Sequence, residues 1–248
     1  ALGVIVSLIT VSTGLGSKKA IESRLANFSG HISIKSTRSN SSYNSSVLNK
    51  DELKLNDIKN LEEVSGTQSY ATVSGILRTE DNFDGVILKG VAKDFDEERF
   101  QDFMVSGEIP KFTEEGYNNQ VILSQKIADD LHLKAKDSIV AIFSKEDQKP
   151  IYRKFEIAGI YKTDIKMIDD LFIIGDINHV RKIQNMAKDD VGGVDVFLKN
   201  SSYIDEVFPK IEKLIGYKNF AEKATDKYPQ IVDWIGLFDT NIGLIIDR

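Results

Sequence analysis

Apolar and polar positions along the chain set out a mixture of short helices and strands. In KKAIESRLANF (18–28), Ile21, Leu25 and Phe28 recur at i, i+4 and i+7, one stripe of a helix, and Gly30 is placed to stop it. HISIKS follows, with Ile32 and Ile34 alternating with polar neighbours as in a strand. Residues 36–46 (STRSNSSYNSS) form a polar loop, and Leu53, Ile58 and Leu61 predict a helix over 48–61. TQSYATVSGILR (67–78) and GVILKGV (85–91) are strands on either side of a turn rich in Asp and Asn. A helical patch spans 95–103. QVIL (120–123) is a short strand whose successor, Ser124, is placed to cap a helix with Ile127, Leu131 and Leu133 inward. Residues 138–143 and 153–161 are strands. LFII (171–174) is a buried strand, 177–187 a helix and 194–198 a strand. Over 203–215, Ile204, Val207, Phe208, Ile211, Leu214 and Ile215 line one side of an amphipathic helix. Strands and helices mix without a regular βαβ repeat, so the expected fold class is α+β.

Two denser apolar runs stand at the ends, ALGVIVSLITV (1–11) and WIGLFDTNIGLII (234–246). A membrane-crossing helix takes roughly 20 apolar residues. Both runs are shorter, and they are expected to be parts of two transmembrane helices with the remaining chain between them. Trp234 and Phe238 would then sit at the water–lipid interface, where aromatic rings are favoured. A signal-peptide core would account for the first run but not the second, and no basic segment precedes it. Two buried helices of a soluble core are the other reading of the pair.

Composition narrows the chemistry. The 248 residues allow one large or two modest domains, and a hydrophobic fraction of 41% supports a real core. The net charge is −6, with acids and bases interspersed and no basic stripe, so nucleic acid is not an expected partner. There is no cysteine, which excludes disulfides, thiolate metal sites and thiol catalysis. His31, His132 and His179 fall in three separate elements, which argues against a metal site. The acidic stretches TEDNFD (79–84) and DFDEER (94–99) invite comparison with a calcium loop. Counted from Asp81, however, Val86 and Ala92 stand where an EF-hand needs Gly and Glu. Neither a phosphate-binding P-loop nor a nucleophile elbow occurs. No catalytic residue, cofactor or metal ligand is expected, and the chain is not expected to be an enzyme. A secreted binding protein or hydrolase is the alternative class.

Residues 1–34, ending in Ser29-Gly30-His31-Ile32-Ser33-Ile34, resemble the first membrane helix, stalk and first strand of Lol-type lipoprotein-releasing permeases. QVILSQKIADDLHLKAKDSIVAIF (120–143) followed by RKFEIAGIYKTDI (153–165) resembles a later block of the same proteins and of the wider MacB-like periplasmic core domain. QIVDWIGLFDTNIGLII (230–246) resembles their approach to the second membrane helix. The resemblance implies a porter-like part over 30–92 and 167–225, with a β-rich, Sabre-like subdomain inserted at 93–166. Residues 1–29 and 226–248 would be stalks joined to transmembrane helices. It implies an inner-membrane permease with this domain in the periplasm. The partners implied are a cytoplasmic ATPase subunit, a second permease subunit, a periplasmic lipoprotein, a lipoprotein chaperone, and membrane lipid at both termini. Export permeases and cell-division-type mechanical permeases share the layout. In the chaperone-recruiting member a long loop hooks the chaperone. The matching loop here, 145–152, is short, and Lys145, Gln148, Pro150, Ile151 and Tyr152 are expected to mark a partner-facing tip without a hook.

Overall fold

The computed structural model describes residues 16, 19–39, 43–113, 116–144 and 149–227. Helix α1 (residues 19–29) leads into β1 (Ile32–Ser36). Two long strands, β3 (Val64–Arg78) and β4 (Phe83–Val91), form the expected hairpin around residues 79–82. Then follow α3 (Glu97–Gln101), β5 (Met104–Gly107), β6 (Gln120–Ser124) and α4 (Gln125–Asp130). The Ser124 hydroxyl accepts the Ile127 N–H at 3.1 Å, the cap expected from the sequence. Next are β7 (Ser138–Phe143), β8 (Ile151–Tyr161), α5 (Lys166–Leu171), β9 (Phe172–Asp176) and α6 (Ile177–Gln184). The chain continues through β10 (Asp190–Val191), β11 (Gly193–Leu198) and α7 (Ile204–Leu214) to β12 (Asn219–Lys223) and α8 (Ala224–Lys227).

One helix departs from expectation. Residues 48–61 split into a two-residue strand β2 (Leu48–Asn49), a 3-10 turn (Lys50–Glu52) and a short α2 (Leu55–Lys59). The Asn49 side chain accepts the Asp51 N–H at 2.9 Å, a local bond that competes with helix, while Leu48 pairs with Val191 of β10.

The main sheet runs β12-β1-β11-β3-β4-β9-β6-β8-β5, and β7 pairs with both β3 and β8. This double pairing closes β3-β4-β9-β6-β8-β7 into a six-stranded barrel, which leaves no free edge within that ring. Strands from the middle of the chain, β6 and β7, are thereby hydrogen-bonded to β9 and β3. The cross-strand row Val73–Leu88–Ile173–Leu123 is buried throughout. Phe143 closes the interior, and Gly75 makes room for it: a Cβ there would lie 2.6 Å from the Phe143 ring. The sheet carries helices, so β11 is buried on both faces and Ser33 of β1 is as buried as Ile32 and Ile34. On α7, Val207, Ile211 and Ile215 are the buried positions, as the 3.6-residue period predicts. Mixed helices and a mixed sheet make this the α+β fold expected.

Candidate functional site

A dense group of buried hydrogen bonds lies where α1 meets the sheet. Leu25 and Phe28 bury the end of α1 in an aromatic cluster, with the Phe28 ring 5.6 Å from Phe172 and 6.0 Å from Tyr161. The Ser29 hydroxyl donates to the Leu25 carbonyl at 2.9 Å, and Gly30 ends the helix in the left-handed region at φ +75. No other residue type fits well there, because a Cβ on Gly30 would lie 2.9 Å from Asp195 Cβ. From β4, Lys89 Nζ donates to the Phe28 carbonyl at 2.8 Å and pairs with Asp195 of β11 at 3.0 Å. The side-chain exposures of this pair are 4% and 0%. Asp195 also accepts from the Ser33 hydroxyl at 2.9 Å, which in turn lies 3.0 Å from the Tyr70 hydroxyl. The Phe28 and Tyr70 rings flank the ammonium at 4.9 and 5.1 Å.

His31 ties the next residue down. Its N–H donates to Val196, and its Nδ1 accepts the Leu198 N–H at 3.1 Å, just where the β11–β3 register shifts between Phe197 and Leu198. A bulge leaves a backbone donor unpaired in the ladder, and the imidazole takes it up. Burial, aided by the nearby Arg99 charge, lowers the His31 pKa to about 4, so the ring is neutral at neutral pH and free to accept. Arg99 itself stacks 3.9 Å over Phe197.

The chain leaves the fold beside the point where it arrives. β12 pairs antiparallel with β1, from Ile32↔Lys223 to Ser36↔Asn219. The Ala224 N–H then donates to the His31 carbonyl at 3.0 Å, and Ala224 joins Leu25 and Phe28 in one apolar cluster. Residues 28–31 thus hold α1 and α8 together.

At the other end of β3 the barrel presents a different surface. Residues paired across adjacent strands share a face. Phe83–Arg78–Val140–Lys154 and Gly85–Ile76–Ile142–Tyr152 are two such rows across β4, β3, β7 and β8. Phe83 is 79% exposed, Tyr152 61% and Ile76 45%. Alternation places polar residues on the outer face of such a sheet, so exposed aromatic and aliphatic side chains are notable there. Of the expected tip residues, Pro150 and Tyr152 are exposed and Ile151 half-buried, at the start of β8. Lys145 and Gln148 lie outside the described residues, as do Trp234, Phe238 and both terminal apolar runs.

The remaining polar candidates stay apart. His132 is exposed at the end of α4, and His179 is buried against the Phe155 ring at 4.9 Å. Asp94 accepts from the Ser69 N–H and hydroxyl, and the Asp84 carboxyl is raised by burial and by neighbouring Asp130. Among the described residues no group of three or more His, Cys, Asp or Glu is placed to hold a metal ion, and no helix is long and apolar enough to cross a membrane. Sequence reasoning missed the Lys89–Asp195 pair. Its signal was a single charge inside each of two apolar strands, GVILKGV and GVDVFL.

The fold brings α1 and α8 side by side and ties both to β1 and its neighbours through buried hydrogen bonds. A profile of the MacB-like periplasmic core domain matches residues 1–214, and the chain belongs to that family. It is a MacB-like periplasmic domain of an ABC-type transporter permease. Two solved structures are similar. One is the extracellular domain of the ABC-type transporter YknZ from Gram-positive bacteria: 15% identity, 77% of this chain and 99% of that chain covered, TM-score 0.51. The other is the periplasmic region of MacB from Actinobacillus actinomycetemcomitans: 16% identity, 82% and 92% covered, TM-score 0.50. At these identities the likeness is one of fold. No curated protein matches the chain.

Proposed function

We propose that this chain is the transmission element of its permease. It stands between two transmembrane helices, pairs with a second permease subunit, and carries movement driven by a cytoplasmic ATPase into the periplasm. The observation that supports this reading best is the pairing of β1 with β12, closed by the Ala224–His31 hydrogen bond. Two segments that approach side by side are what two helices rising from one bilayer require. A displacement of either stalk then acts on β1, and through β11 on the long strand β3, as a rigid-body movement. In the full-length permease with its ATPase, ATP should shift the distance between this domain and the second permease subunit. No shift would overturn the reading.

The cargo divides into two readings. The sequence patterns at Ser29–Ile34, 120–143 and 153–165 favour release of a lipoprotein to a soluble chaperone. Drawing acyl chains from lipid costs about 0.8 kcal/mol per CH₂, which demands ATP and a shielded path. The likeness in fold to the MacB and YknZ domains favours export of another cargo, or mechanical action on a periplasmic partner. Depleting the permease in its own cell separates them. Lipoproteins stranded in the inner membrane support the first reading, and unchanged lipoprotein partition supports the second. In either case we propose the sequence segment 145–152 as a small partner contact, too short to wrap a partner.

A further inference from the structure

We propose that Lys89 and Asp195 are positioning residues for transmission: one buried ammonium locks the end of α1 to β4 and β11, so that movement of the stalk reaches the sheet without slip. The inference rests on the reading that α1 is a stalk, and it names the group through which that stalk acts.

The argument is one of directionality. Leu25 and Phe28 hold α1 by apolar contact, which is non-directional and changes little if the helix slides by a fraction of a turn. The Lys89 bonds are different. They join three elements at one atom: the Phe28 carbonyl of α1 at 2.8 Å, the Asp195 carboxylate of β11 at 3.0 Å, and the β4 backbone that carries the lysine. The carbonyl lies at the C-terminal end of α1, where the helix dipole is negative and free carbonyls need partners. The Phe28 and Tyr70 rings also lie against the ammonium, at 4.9 and 5.1 Å. Sliding α1 along its axis would take the Phe28 carbonyl from a cation whose side chain is only 4% exposed, a displacement strongly opposed in an interior. Gly30 leaves no slack, because its turn lies flush against Asp195. The same turn carries His31, whose carbonyl holds Ala224, so one knot serves both stalks.

The test uses the full-length permease with its ATPase in nanodiscs. Spin labels are placed at Ser23 on α1 and Lys154 on the barrel, both exposed, and separately at Lys154 and on the second permease subunit. In the wild type, a non-hydrolysable ATP analogue should shift the second distance and leave the first unchanged. Lys89→Met alone leaves Asp195 buried without its cation and is expected to destabilise the domain strongly, so that a lost shift could reflect stability alone. The decisive variant is therefore Lys89→Met/Asp195→Leu, which removes both charges together. It should fold, make the Ser23–Lys154 distance broad and nucleotide-dependent, and lose more than half of the intersubunit shift. Lys89→Arg, which keeps a charged donor, should retain more of the shift than the double variant. A folded double variant with wild-type distances overturns the proposal. So does a double variant that cannot fold, since the pair would then serve the fold alone. A wild type with no nucleotide-driven shift overturns the transmission reading, and the joint with it.

Discussion

Strand β3 passes through two unlike environments. Over its first half, paired with β11, it borders a region where buried polar groups answer one another: Tyr70, Ser33, Asp195, Lys89 and the Phe28 carbonyl form a continuous chain. Over its last three residues, paired with β7, it carries Ile76 and Arg78 outward among exposed apolar neighbours. Polar groups are buried beside α1 and apolar groups are exposed at the other end of β3, which inverts the usual rule at both ends. A buried network specifies one geometry because each member fails without its partner. An open apolar face specifies nothing internally and is left for something outside the molecule.

The largest expected effect falls on the buried network. Lys89→Met should cost about 3–5 kcal/mol, because Asp195 would be left as an uncompensated buried charge. Urea unfolding of this chain measures it, and the double variant Lys89→Met/Asp195→Leu should recover most of the loss. A single variant that loses less than about 1 kcal/mol would mean that water reaches the joint and that the contrast with the far end is false.

His31 sharpens the same contrast through pH. Its folded pKa is about 4, below the ordinary 6.5, so the unfolded chain binds the proton first as pH falls. The stability it contributes is complete above about pH 6.5 and is lost progressively towards pH 4, amounting to about 3 kcal/mol at 1.36 kcal/mol per unit. His31→Gln, whose side-chain oxygen can accept from the Leu198 N–H, should flatten this part of the pH profile. If the profile between pH 6.5 and 4 is unchanged by the substitution, His31 does not hold the bulge as described.

Gly30→Ala should come next, at about 1–3 kcal/mol. It forces an L side chain into the left-handed region and against Asp195. Gly66 is the control: a Cβ there would meet nothing within 4 Å, and its φ is not positive, so alanine should be nearly neutral.

How much of this the sequence showed differs between the two regions. The hairpin β3–β4, the capped α4, the pair β7–β8 and the inward face of α7 were legible, because period, turn residues and a serine cap all agree locally. The helix expected over 48–61 failed where Asn49 formed a local bond and Leu48 found a strand partner. β12 was invisible: NFAEK lacks a run of strand formers and pairs only because β1 offers an edge. The joint was legible only as two odd charges. Lys89 and Asp195 are 106 positions apart and meet through a strand order that places β11 and β4 on either side of β3. The outer face was illegible for a related reason. Ile76 and Tyr152 show their face only once β7 closes the barrel against both β3 and β8.

The smallest effect on stability is expected at that outer face, and it is the sharpest test of the comparison. Phe83→Ser and Tyr152→Ser remove exposed rings that contribute little to the core, so each should change stability by within about 0.5 kcal/mol. Ile76→Thr keeps β-branching on an exposed strand position and should behave alike. If the face serves a partner, these substitutions should leave unfolding curves unchanged while reducing cross-linking from position 140, exposed on the same face, to periplasmic proteins in the native cell. Arg78→Glu and Lys154→Glu should reduce it also, by reversing the charge that borders the rings. A cost above about 1.5 kcal/mol for Phe83→Ser would show that the ring is covered within the folded chain, so that the two ends of β3 differ less than their exposures indicate.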